Sequence, residues 1–177
     1  MSDYLLDTNI LSFWYNTQCS QHVNILARVQ TIRQPDPLTE YIPRLFVSVV
    51  TMGEIEYGHS VAAVPDPKKQ SEYMRFVREQ CPQSLEVTKH VAGPYGELKA
   101  WLFEKSSNRR KRTKKMRDRE VTHPTPAKEL GADENDLWIA AQAITFRLVL
   151  VTHDARGNFG EIQRHFAPAL QVEDWAQ

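Results

Sequence analysis

Cysteine is scarce. Cys19 and Cys81 are the only two in 177 residues, too few for a disulfide framework and outside any Cys-x-x-Cys pair, so both read as reduced side chains without chemistry of their own. Long apolar runs are missing as well. The longest, such as Leu148 to Val151, have the length of a strand, which speaks against a membrane-spanning helix. The N-terminus shows neither a basic start followed by an apolar core nor a small-residue cleavage site, so the expected location is the cytoplasm. The seven glycines form neither Gly-x-x-x-x-Gly-Lys-Ser/Thr nor Gly-x-Gly-x-x-Gly, which argues against a nucleotide or dinucleotide cradle. No His-Glu-x-x-His and no Gly-x-Ser-x-Gly elbow occurs, leaving zinc proteolysis and serine hydrolysis without support.

Net charge is also absent, but its cancellation hides a strong asymmetry. From Lys105 to Arg119 nine basic side chains face one acid, Asp118, while 13 basic and 21 acidic residues make up the rest. The basic stretch includes Arg109, Arg110, Lys111, Arg112, Lys114 and Lys115, the candidate polyanion contacts; its other reading is a solvated loop that keeps the protein soluble. Residues 105–129 carry few apolar side chains and two prolines, Pro124 and Pro126. They read as a basic insertion within a single domain spanning 1–177 rather than as a linker between domains.

What remains is a rhythm of short apolar runs and helical spacings. Tyr4 to Leu6 predicts a strand ending at Asp7, followed by a helix through Ile10, Leu11, Phe13 and Trp14 that Thr8 can cap. Pro35, Pro37 and Pro43 mark a loop, after which Leu45 to Val50 reads as a buried strand leading to a helix with Glu54, Ile55 and Tyr57. Helical spacing returns over Lys68–Gln80, His90–Lys105 and Asp133–Phe146. Strands are predicted at Leu85–Thr88 and Leu148–Val151, with an edge strand at Leu170–Val172. Alternating strands and helices predict an α/β fold with a parallel sheet covered on both faces.

In such a sheet the carboxyl ends of the strands open on one crevice. Asp7, Glu54, Asp136 and Asp154 each fall where a strand ends or a helix begins, so they are expected to converge although far apart in sequence. Each has a plainer reading as well: Asp7 as a helix cap, Glu54 as surface decoration, Asp136 as part of a capping box with Asp133, and Asp154 as a turn residue. Two carboxylates about 4 Å apart repel by roughly 4 kcal/mol at an effective dielectric near 20, so four together should take up protons or recruit a hard divalent cation. The second outcome gives a metal-dependent phosphodiesterase.

Leu5-Leu6-Asp7-Thr8-Asn9, Ser48-x-x-Thr51-x-x-Glu54-x-x-x-Gly58, Asn135-Asp136-Leu137-Trp138-Ile139-Ala140-Ala141 and Val151-Thr152-His153-Asp154 with Phe159 resemble the PIN domain, most of all its VapC-type toxins. The resemblance implies a three-layer PIN-like, Rossmann-like fold with a central parallel sheet flanked by helices. It implies metal-dependent hydrolysis of RNA phosphodiester bonds with Mg²⁺ or Mn²⁺. By position, Asp7, Glu54, Asp136 and Asp154 match the catalytic acids, Asp7, Asp136 and Asp154 match the metal ligands, and Thr8 and Thr152 match supporting polar residues. Asn158 stands where the family usually places a carboxylate. An antitoxin partner and a homodimer are expected. The surplus of aromatic residues (Trp14, Tyr15, Tyr57, Tyr73, Phe76) reads equally as core or as interface. Alternatives are an RNA-processing or DNA-directed PIN nuclease without an antitoxin, and a non-catalytic RNA-binding module.

Overall fold

The computed structural model describes residues 2–106, 118–119, 121–122, 126, 133–154 and 158–177, apart from the side chains at 106 and 158. Five strands, β1 (Tyr4–Leu6), β2 (Leu45–Ser48), β3 (Gln83–Leu85), β4 (Val149–Val151) and β5 (Gln171–Glu173), form one parallel sheet in the order β3-β2-β1-β4-β5. Leu5 lies between Phe46 and Leu150 in register, so this row is apolar across the three central strands.

Side-chain alternation splits the core in two, as period-two strands buried on both faces require. Tyr4, Leu6, Leu45, Val47, Val149 and Val151 point to one side. There they meet α1 (Thr8–Tyr15), α2 (His22–Ile32), Ile55 of α3 (Val49–Ser60), α4 (Pro67–Gln80) and Trp175. Leu5, Phe46 and Leu150 point to the other, against α5 (Ala92–Ser106), α6 (Glu134–Phe146) and α7 (Asn158–Phe166). The result is the three-layer α/β arrangement expected from the sequence. No described helix is long and apolar enough to cross a membrane.

Several local expectations are corrected. Val49 and Val50 belong to α3 rather than to the strand, because the Ser48 hydroxyl accepts the Val50 N–H and starts the helix there. β3 sits two residues earlier than expected. On this edge strand Leu85 pairs with Ser48, so the ladder, not apolar character, fixes the register. The stretch after Tyr15 contains an unforeseen helix, α2, whose Ile25, Val29 and Ile32 are buried. α7 was likewise unforeseen, with Phe159 and Ile162 buried. Most of the basic insertion, with Arg109, Arg110, Lys111, Arg112, Lys114 and Lys115, lies outside the described residues, as does the side chain of Asn158.

Candidate active site

The chain runs outward from β1 through β2 to β3 on one side of the sheet and places β4 and β5 on the other. The strand order therefore reverses beside β1, the position at which open α/β sheets form a crevice beyond their carboxyl ends. Asp7 leaves β1 at that point and Thr152 leaves β4. The Asp7 N–H donates to Val151 O at 3.0 Å, continuing the ladder one residue past the strands.

Asp7 is itself the N-cap of α1: its Oδ1 accepts the Thr8 N–H at 2.7 Å. This corrects the expectation that Thr8 caps the helix. The capping carboxylate occupies Ncap, with extended backbone, and Thr8 is already the first helical residue, so its hydroxyl is free to turn away. It donates to Glu54 Oε2 on α3. Asp7 Oδ2 accepts from Thr152 Oγ1 at 2.8 Å and from Asn9 Nδ2 at 2.9 Å. Thr152, fully buried, also accepts the Asp154 N–H at 3.1 Å, and Asn9 Oδ1 accepts the His153 N–H at 3.0 Å. Asn135 Nδ2 donates to Glu54 Oε1 at 2.9 Å, tying α6 to α3. Asp133 caps α6 by accepting the Asn135 N–H at 3.0 Å. Asp7 and Glu54 are thus held in place by neutral donors.

Four carboxylates, Asp7, Glu54, Asp133 and Asp136, line one cleft of about 570 Å³ together with Thr8, Asn9, Ser12, Phe13, Tyr57 and Asn135. None of these lining residues is a lysine or arginine. Burial raises the Asp7 carboxyl above its ordinary range. Hydrogen bonds from Thr152 and Thr8 oppose that rise, and the charges of Glu54 and Asp154 add to it. Asp136 is pushed up to about 7, by burial first and then by the charges of Asp7, Asp133 and Glu54. Asp154 does not line the cleft, yet its charge is felt at Asp7. Of the four acids expected to converge, Asp7, Glu54 and Asp136 share this cleft and Asp154 does not line it.

Oxygen donors alone, with no sulfur or imidazole in the lining, suit a hard divalent ion such as Mg²⁺ or Mn²⁺. Among the described residues no three His, Cys, Asp or Glu side chains are grouped closely enough to form a ready-made ligand set.

Asn9, Asn135 and Asp133 were not read from the sequence as members of the site. The amides came from motifs already noted, but their partners lie 143 and 81 residues away, and no local pattern shows such pairings. The nearness of Asp133 to Asp136 was legible, though only as capping.

No protein-family model and no curated protein sequence matches the chain. Solved structures do match in fold. A chain of the crystal structure of VapBC2 from Rickettsia felis bound to a DNA fragment from their promoter aligns with TM-score 0.64 and 20% identity, over 97% of this chain and 98% of that one. A chain of VapBC-1 from nontypeable Haemophilus influenzae gives 0.64 and 24%, over 98% of each. A chain of VapBC-5 from Mycobacterium tuberculosis, a member of the VapBC family of toxin-antitoxin systems, gives 0.58 and 21%, over 98% and 99%. At such identities the likeness establishes the fold: a PIN-like α/β architecture, as in VapC-type structures.

Proposed function

We propose that this chain is a metal-dependent endoribonuclease and the VapC-like toxin of a toxin–antitoxin pair. The observation that carries the reading is the cleft of carboxylates at the sheet's reversal point, where burial and then mutual repulsion push the Asp136 carboxyl up to about 7 and the described lining residues include no lysine or arginine. Such a cluster favours a divalent ion over protons at neutral pH. Asp7, Asp136 and Asp154 would hold Mg²⁺ or Mn²⁺, which when bound supplies Lewis-acid polarisation of the scissile phosphate and a more acidic water.

The remaining roles fall to the protein's own groups. Thr152 and Asn9 fix the Asp7 carboxylate. Glu54, gripped at one oxygen by Thr8 and at the other by Asn135, orients the attacking water. With water rather than the ribose 2′-hydroxyl as nucleophile, the products carry a 5′-phosphate and a 3′-hydroxyl. The basic segment, through Arg109, Arg110, Lys111, Arg112, Lys114 and Lys115, contributes phosphate contacts to RNA. The likeness to VapBC complexes supports an antitoxin partner, and we further propose a homodimer working in the cytoplasm.

Incubation of total cellular RNA with the protein in Mg²⁺ and in EDTA, followed by end mapping, tests the activity. Discrete 5′-phosphate ends that vanish with EDTA are expected; cleavage that survives EDTA, or none in Mg²⁺, contradicts it. Growth arrest on expression, relieved by co-expressing a short neighbouring reading frame, tests the toxin role.

A further inference from the structure

The cleft continues past the carboxylates along two helices. On α1, Ser12 and Phe13 stand four residues beyond Thr8 and Asn9; on α3, Tyr57 stands three residues beyond Glu54. These spacings return the side chains to the same helix faces one turn further on, about 5 Å along the helix from Thr8, Asn9 and Glu54. Phe13 and Tyr57 are the aromatic rings among the described residues of the cleft lining.

Their settings differ. Phe13 is anchored: it packs against the core and meets the His153 ring edge-on at 5.5 Å. Tyr57 is 69% exposed and contacts no other ring among the described residues, while the apolar duty of its helix is met by the buried Ile55. Nothing in the packing of the described residues requires a large aromatic at 57. The described lining residues include carboxylates and no lysine or arginine, so ring faces are a hold that this part of the cleft offers the nucleotides beside the scissile phosphate. Ring faces supply such a hold, since every base has a π-face and stacking requires it to be unpaired.

Resting on the ribonuclease reading, we propose that Tyr57 is a positioning residue. Its ring, which lines the cleft with Glu54 and Phe13, stacks an unpaired base next to the cleaved phosphodiester and so places the scissile phosphate against the acids.

The test has a binding arm and a cleavage arm. In Ca²⁺, fluorescence anisotropy compares a labelled single-stranded oligouridylate with an abasic ribose-phosphate strand of equal length. Tyr57→Ala is expected to weaken oligouridylate binding about tenfold and leave abasic-strand binding unchanged, while Tyr57→Phe and Tyr57→Trp stay near wild type. Because the side chain is exposed, the Ala variant should melt as wild type does. In Mg²⁺, KM for a cleaved RNA should rise by the same factor, with kcat little changed. If the wild-type protein cleaves no RNA, the ribonuclease reading fails and the binding arm still decides on Tyr57. Equal oligouridylate affinity for wild type and Tyr57→Ala, or an equal loss on the abasic strand, overturns the proposal. So does a Tyr57→Ala protein that keeps RNA binding but no longer binds a partner protein, since the ring then belongs to a protein interface.

Discussion

Asp3 and Asp7 flank the same three-residue strand, are 9% and 5% exposed, and behave in opposite ways. Burial works to raise the carboxyl of each. At Asp3, on the amino end of β1, that effect is outweighed. Arg44 donates through Nε at 2.9 Å, Nη2 at 2.6 Å and its backbone N–H at 2.8 Å, the Tyr41 hydroxyl adds a further bond, and the carboxyl is held below its ordinary value. At Asp7, on the carboxyl end, three donors bind the carboxylate but none is charged, two more acids stand close by, and the carboxyl is held high. Burial by itself does not make a carboxylate functional. The protein supplies its own cation at one end of β1, whereas at the other the described donors to the carboxylate are all neutral.

The largest contrast should come from removing each charge in turn. Asp7→Asn is expected to slow Mg²⁺-dependent RNA cleavage by about 10³-fold, the scale of losing a central electrostatic group in an active site. Asp3→Asn should leave the cleavage rate within about threefold and instead cost roughly 2 kcal/mol in urea unfolding, the scale of weakening a charge-assisted hydrogen-bond set. Equal rate losses in the two variants would erase the distinction.

The pH dependence sharpens it. A carboxyl raised from 3.8 to about 7 keeps its proton in the folded protein after the unfolded chain has released it. Stability of the metal-free protein therefore falls as pH rises across that window, by about 3 kcal/mol once partial solvent screening is discounted. Asp3 has the opposite sign, contributing stability above the ordinary carboxylate pKa that is lost as pH falls. Denaturant melts in EDTA should show the first slope in wild type and a flattened one in Asp136→Asn. In the same preparations, Mn²⁺ at a hundredfold over its Kd should stabilise wild type by about 2.7 kcal/mol and Asp136→Asn far less. A melting profile indifferent to Mn²⁺ would leave the cluster without its ion.

The smallest effect concerns the basic segment. Neutralising Arg109, Arg110, Lys111 and Arg112 together should weaken single-stranded RNA binding about tenfold at low salt. It should also flatten the salt dependence by two to three units, at about 0.7 per phosphate contact. An unchanged slope, measured as Kd at several salt concentrations, means that these side chains do not touch RNA.

Legibility in the sequence followed the strength of local signals. β1, β4 and the body of α6 were readable because apolar runs and helical spacing coincide there with Asp7, Asp133 and other end signals. α2 was missed because its N-cap, Gln21, makes no side-chain cap bond and its buried face rests on Ile25, Val29 and Ile32 alone. The strand-to-helix switch at Ser48 was misplaced because Val49 and Val50 are β-branched and read as strand, while a single hydroxyl decides for helix. Within the site the acids stood out in the sequence. Their supports, Asn9 and Asn135, did not, because an amide acquires its role only when folding brings a partner across the crevice.

We propose uptake of a divalent ion by the acids at the carboxyl end of the sheet. Its most direct test is a carboxyl-carbon NMR titration of the metal-free protein, repeated in saturating Mg²⁺, with Asp3 as the internal contrast. Asp136 is expected to titrate near 7 without metal and to move toward the ordinary carboxylate value with it, while Asp3 stays low in both. An Asp136 that titrates near the ordinary value without metal, or a raised midpoint that Mg²⁺ does not move, would contradict it.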